Sequence, residues 1–256
     1  MRRIRVIPVL TISELKLVKT VYFKNPKYIG DPLNAIKIFN EKEVDEVIVL
    51  DISKSKKIKK PNFNLINKIA SECFMPLSYG GGVDNFDTAK KMFDLGVEKI
   101  VVNSALHTNL KLIEKIANSY GSQSVVASID VKRNFFGKNM VFSHNGLVNT
   151  KTTPENFASF LENSGIGEIF INNIDKEGSF SGYDLDLIKL VSGLVSVPVI
   201  AYGGARGISD FLKACESGAS AVAASSTFVF KNNNTESILI NYPSESNLID
   251  EFYSKL

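Results

Sequence analysis

The 256-residue sequence has no tryptophan, two cysteines, two histidines and no apolar run of membrane-spanning length. The missing tryptophan excludes nothing. Cys73 and Cys215 lie far apart in stretches of helical character. They match neither a zinc spacing nor a disulfide framework, so the expected setting is reduced and cytoplasmic. His107 and His144 have no ligand-spaced neighbours, so neither a metal nor a cofactor is expected. Charge imbalance is lacking too: 30 basic residues face 27 acidic ones, a net of +3. That balance excludes nucleic acid as the main partner. The opening "MRRIRVIPVL" is basic and then apolar, but it is too short for a signal peptide and has no small-residue cleavage site. A membrane partner is not expected.

What is present is a rhythm. Short β-favouring runs recur at 5–10, 46–51, 75–80, 99–104, 124–130, 168–174, 197–203 and 219–225, separated by stretches of helical period. In "PENFASFLENSG" (154–165), Phe157, Phe160 and Leu161 mark one helical face. "FDTAKKMFDLG" (86–96) ends on Gly96, a helix-terminating glycine. Eight strand–helix units in about 250 residues match an α/β fold of the (β/α)8 TIM-barrel type. Fully apolar strands suit a buried parallel sheet, and a doubly wound open sheet is the competing arrangement. No linker interrupts the pattern, so residues 1–256 read as a single (β/α)8 barrel domain.

The sequence also repeats itself. Residues 81–106 and 203–228 align without a gap. Gly81 and Gly82 match Gly203 and Gly204, Gly96 matches Gly218, and Ser104 matches Ser226. The offset is near half the chain, which points to two similar half-barrels. A glycine pair at a strand end lets backbone approach a ligand, and a serine before a helix adds a hydroxyl and free amides. Gly82 with Ser104, and Gly204 with Ser226, are therefore candidate phosphate cradles. Glycine used only for turn geometry is the bland alternative.

At this point a family resemblance becomes specific. The stretches "RVIPVL", "LVKT", "GDPLNAIKIFNEKEVDEVIVLDI", "YGGGV", "EKIVVNSA", "GSQSVVASIDVKR", "IDKEGSFSGYD" and "PVIAYGGARG" are similar to the cyclase subunit of imidazole glycerol phosphate synthase, the HisF family, over nearly the whole chain. The resemblance implies a separate glutaminase subunit, HisH-like, docked on the N-terminal face of the barrel. Ammonia would then cross the barrel past a charged gate at Arg5, Glu46, Lys99 and Glu168. One at a time these are ordinary strand-end charges. Together, alternating in sign, they would close a ring of ion pairs.

The family's chemistry uses acids at the ends of the first and fifth strands. The fifth is Asp130, in "SIDVKR", expected to be a proton carrier at the barrel mouth. The first is replaced by Thr11, a poor base near neutral pH. Lys19 matches a mobile-loop lysine that could close over a phosphorylated substrate, or could be a surface lysine. The resemblance further implies phosphate and substrate contacts from Gly82, Asn103, Ser104, Glu177, Gly178, Gly204, Ser225 and Ser226. Glu177 stands where the family has aspartate, and Asn172 and Asn145 replace hydroxyl residues. His144, beyond strand five, could supply the missing base.

These changes fall on the substrate side, and the chain resembles most a HisF-like subgroup associated with surface-polysaccharide synthesis. That implies conversion of an acetamido to an acetamidino group on a phosphorylated or nucleotide sugar, with a glutaminase and a further amidotransferase-like protein as partners. The histidine-pathway cyclase and a non-catalytic ammonia conduit are the alternatives. Two weaker readings remain. "KSKKIKKPN" (54–62) is expected to be a solvated loop on the active face or an attractor for diphosphate. Residues 230–247 are expected to form a terminal loop.

Overall fold

The computed structural model describes residues 4–53 and 60–256. The first barrel strand, β1 (Arg5–Ser13), runs into an antiparallel hairpin of β2 (Lys16–Val21) and β3 (Lys24–Gly30) before helix α1 (Pro32–Glu41). There follow β4 (Val47–Asp51), α2 (Phe63–Glu72), β5 (Leu77–Gly80), α3 (Phe86–Asp94), β6 (Lys99–Val102), α4 (Ser104–Thr108) and α5 (Leu110–Tyr120). The second half opens on β7 (Val125–Arg133), which runs into antiparallel β8 (Asn139–Ser143) and the short β9 (Val148–Asn149). Then come α6 (Pro154–Glu162), β10 (Glu168–Asn173), α7 (Leu185–Ser192), β11 (Val199–Tyr202), α8 (Ile208–Glu216), β12 (Ala221–Ala224), α9 (Ser226–Val229) and α10 (Glu245–Glu251).

Eight strands, β1, β4, β5, β6, β7, β10, β11 and β12, pair in parallel, and β12 returns to pair with β1. This is the closed (β/α)8 barrel, and the open-sheet alternative is excluded. Every barrel strand is buried on both faces, which is why the strands read as unbroken apolar runs. One face packs on the helices. The other fills the barrel with Ile7, Val9, Ile48, Val101, Val126, Phe170, Ile200 and Ala223. The inward positions alternate along each strand, so Arg5 and Thr11 lie at opposite ends of the apolar plug on β1.

The sequence expectations differ from the structure in three places. Phe160 is half-exposed and does not share the buried face of Phe157 and Leu161. Residues 230–247 are more than a terminal loop. Phe230 bridges to Ile238, and the buried Tyr242 donates its hydroxyl to the carbonyl of Val6 at 2.9 Å, tying the tail to the foot of β1. Lys19 lies in strand β2 and is buried, because β2 and β3 form a packed hairpin. Of the basic run 54–62, residues 54–59 lie outside the described residues. Gly96 does follow the end of α3 with a φ of +98°, the left-handed turn expected of it.

Candidate functional site

The two hairpins stand on the C-terminal mouth at equivalent places in the two halves. Beneath them lies a cavity of about 770 Å³, a size suited to a small-molecule ligand. Its floor is the top of the plug, Leu50, Val101, Phe170 and Tyr202. Its walls include Thr11, Asp130, Asn172, Asp51 and the first cradle.

Asp130 is buried, and β7 places it directly opposite Asn172 of β10. Asn172 Nδ2 donates to its Oδ1 at 3.0 Å and Asn103 Nδ2 to its Oδ2 at 3.2 Å. Burial raises the carboxyl to about 6, and the Asn172 amide pulls the other way by stabilising the charged form. At neutral pH the group is mostly ionised but close to taking a proton. Thr11 is buried in the same cavity, and its Oγ1 has no hydrogen-bond partner. Asn172 Oδ1 is unpartnered as well.

Lys19 and Glu177 are brought together as a buried ion pair beneath the first hairpin. Lys19 Nζ also donates to the Thr20 carbonyl at 2.9 Å. Glu177 accepts from Thr20 Oγ1 and from the Phe23 amide, both at 3.2 Å, while its own carbonyl accepts from the Tyr22 amide at 2.9 Å. Burial lowers the Lys19 ammonium to about 7. Glu177 therefore holds the hairpin down in this state and does not itself offer a donor to phosphate. Gly178 permits the close approach: a side chain there would meet the Thr20 carbonyl at 2.6 Å.

The two cradles differ. Gly82, Asn103 and Ser104 line the large cavity. Gly178, Gly204, Ser225 and Ser226 line a separate small one with Lys19, Phe180 and Tyr202. Ser226 Oγ is buried there without a partner.

At the opposite end of the plug, Arg5, Glu46, Lys99 and Glu168 close on one another. Arg5 contacts Glu46 at 2.5 Å and Glu168 at 2.8 Å; Lys99 contacts Glu46 at 2.9 Å and Glu168 at 3.2 Å. Burial works against the Arg5 charge, and the two glutamates more than restore it. Ser78 Oγ adds a 2.7 Å bond to Glu46.

Among the cavity residues that the sequence does not mark as site candidates are Asp51, Phe170 and Tyr202. Each ends or lies within a strand that reads as ordinary core. The only signal for Asp51 is an acid closing an apolar run. His144 and Asn145 do line the cavity, at the turn after β8, where both have positive φ. His107 lies elsewhere, stacked on Phe157 at 4.5 Å between ring centres. Among the described residues, no cluster of three or more His, Cys, Asp or Glu side chains is placed to hold a metal.

Comparison with known proteins matches this architecture. A family model described as histidine biosynthesis protein matches residues 5–234. A Pseudomonas aeruginosa protein provisionally named imidazole glycerol phosphate synthase subunit hisF2 is 50% identical over 249 residues, 97% of this chain and 99% of that one. A Leptospira interrogans protein, provisionally named as the HisF subunit of the same synthase, is 43% identical over 97% of this chain and 98% of its own. The Thermotoga protein named imidazole glycerol phosphate synthase subunit HisF is 37% identical over 89% of each chain. By fold, internal repeat and similarity along almost its whole length, the chain belongs to the histidine biosynthesis protein family, on its HisF side.

Proposed function

We propose that this chain is the ammonia-accepting synthase subunit of a glutamine amidotransferase complex, and that it converts an acetamido to an acetamidino group on a phosphorylated or nucleotide sugar. The observation that carries the reading is Thr11. Its buried, unpartnered hydroxyl occupies the end of the first strand, where the resembled cyclase has an acid, and leaves Asp130 as that pair's remaining member. A chemistry needing two opposed acids at those positions is disfavoured. Amidination at an activated acyl carbon needs less. When the ammonia nitrogen bonds to that carbon it becomes cationic and must shed a proton, and Asp130, ionised above about pH 6, is placed to accept it. Activation of the departing oxygen belongs, in this reading, to the further amidotransferase-like partner.

The Arg5–Glu46–Lys99–Glu168 ring would be the entry for ammonia from a glutaminase docked at that end. Its alternating contacts seal the foot of the barrel against water, and a small neutral molecule could pass as they part. The test is an amidination assay of the chain with its glutaminase and partner on candidate sugars. Asp130→Asn should abolish product; unchanged product would remove the catalytic role.

The histidine-pathway cyclase is the second reading, favoured by the 37% identity to a HisF subunit across most of both chains. Rescue of a cyclase-deficient strain by this chain would establish it. A non-catalytic conduit is the third, distinguished by an Asp130→Asn variant that still supports product while disruption of the ring does not.

A further inference from the structure

The two half-barrels repeat in sequence, so their equivalent positions can be compared directly. One place before the paired glycines, the first half has Gly80 and the second has Tyr202. Both end a barrel strand and both line the large cavity. A side chain at 80 would run into Leu50 Cδ2 at 2.9 Å and Val101 Cβ at 3.0 Å. The first half therefore presents backbone there, and its cradle opens straight into the cavity.

The second half presents a phenol. Its ring packs on Phe170 at 4.8 Å between centroids, and its hydroxyl lies against Ser225 of the second cradle. Tyr202 borders the large cavity on one side and the second cradle on the other. Behind it the second cradle encloses about 10 Å³, room for one water and not for a phosphate. Lys19 of the first hairpin and Phe180, from the segment after β10, line the same small cavity.

We infer that Tyr202 is a specificity-determining residue that closes the second cradle, so that the acceptor is anchored by a phosphoryl group at the Gly82–Ser104 end alone. The ligand class follows: a compound phosphorylated at one end, with its reacting group lying under Asp130, and not one carrying phosphate at both ends. The inference rests on the proposed acceptor chemistry only in assuming a phosphorylated ligand.

The test is titration calorimetry on the full chain with three probes: inorganic phosphate, fructose 6-phosphate and fructose 1,6-bisphosphate. Wild type should bind one phosphate per chain and the two sugars with similar affinity. Tyr202→Gly, which copies position 80, should bind two phosphates and prefer the bisphosphate by about tenfold, the worth of one charge-assisted anion site. Tyr202→Phe should keep the stoichiometry of one, because the wall is the ring. Ser104→Asp should abolish wild-type phosphate binding. Two phosphates bound by wild type would overturn the inference, even if the glycine variant fails to fold. So would one phosphate bound by a folded Tyr202→Gly. Failure of the amidination assay, with these stoichiometries observed, would remove the proposed reaction and leave this inference standing.

Discussion

Asp130 illustrates how a single residue can be set against the fold it belongs to. Its carboxyl ionises near 6 in the folded chain and near 3.8 ordinarily. Below about pH 3 it is neutral in both folded and unfolded chains and opposes nothing. As the pH rises through 6, the folded state must ionise a buried group, which costs about 3 kcal/mol of stability. Asp130→Asn should therefore stabilise the protein by about 1–3 kcal/mol at pH 8 and by almost nothing at pH 3, measured by denaturant unfolding at the two values. Asn172 can turn its unpartnered Oδ1 toward the new amide, so the packing need not change. For the proposed reaction, kcat/KM should fall as the pH drops through about 6. The position of Asp130 is readable from sequence, because an acid ending an apolar barrel strand has one place to go. Its two asparagine donors are not readable as such, since Asn103 and Asn172 meet it only through strand register. Tyr202 shows the converse: a residue that scans as core takes on a role through what stands opposite it in the other half.

At the scale of elements, the first hairpin is the main departure from expectation. The turns flanking β2, Glu14–Leu15 and Tyr22–Phe23, are two residues each, and all four residues have positive φ. Such turns fit the twist of a hairpin but normally advertise themselves with Asn-Gly or a similar pair. Here ordinary residues adopt them, so the segment reads as loop and Lys19 as mobile. Replacing Glu14–Leu15 by Asn-Gly should stabilise the chain by about 1 kcal/mol, checked by thermal unfolding. What holds the hairpin shut is the Lys19–Glu177 pair. Lys19→Met leaves a buried carboxylate unpaired, at a cost of about 3–5 kcal/mol. Part of that should be relieved locally, as faster amide exchange across 16–30 than across β4 or β5. Equal exchange in the variant and in wild type would mean that the pair does not latch the hairpin.

On the scale of the whole molecule, polar chemistry is confined to the two ends of an apolar plug. The barrel itself was legible from sequence, because strands buried on both faces carry continuous apolar runs and recur eight times. The repeat exposed the two halves, and matching strand starts placed four charges at one end. Their closure into alternating pairs depends on the stagger of the strands, which no sequence pattern states. Lys99→Ala should leave Glu46 and Glu168 sharing Arg5 alone and cost on the order of 3 kcal/mol. If the ring gates ammonia, the variant should lose glutamine-driven product while keeping product driven by added ammonium. Parallel losses in both assays would assign the ring to stability only.

The clasp between Tyr242 and Val6 has a consequence in time. The two residues are separated by 236 positions, and the first barrel strand also needs the last one as its neighbour. At ordinary rates of synthesis roughly 10 to 50 s pass between them. For that interval β1 has an unpaired edge and a foot without its clasp. The growing chain can complete its first half-barrel, but the second must finish before the circle shuts. Chaperone contact during translation should therefore concentrate on the edge of β1 and end as the tail emerges, a pattern that ribosome-bound chains stalled before and after residue 242 would reveal.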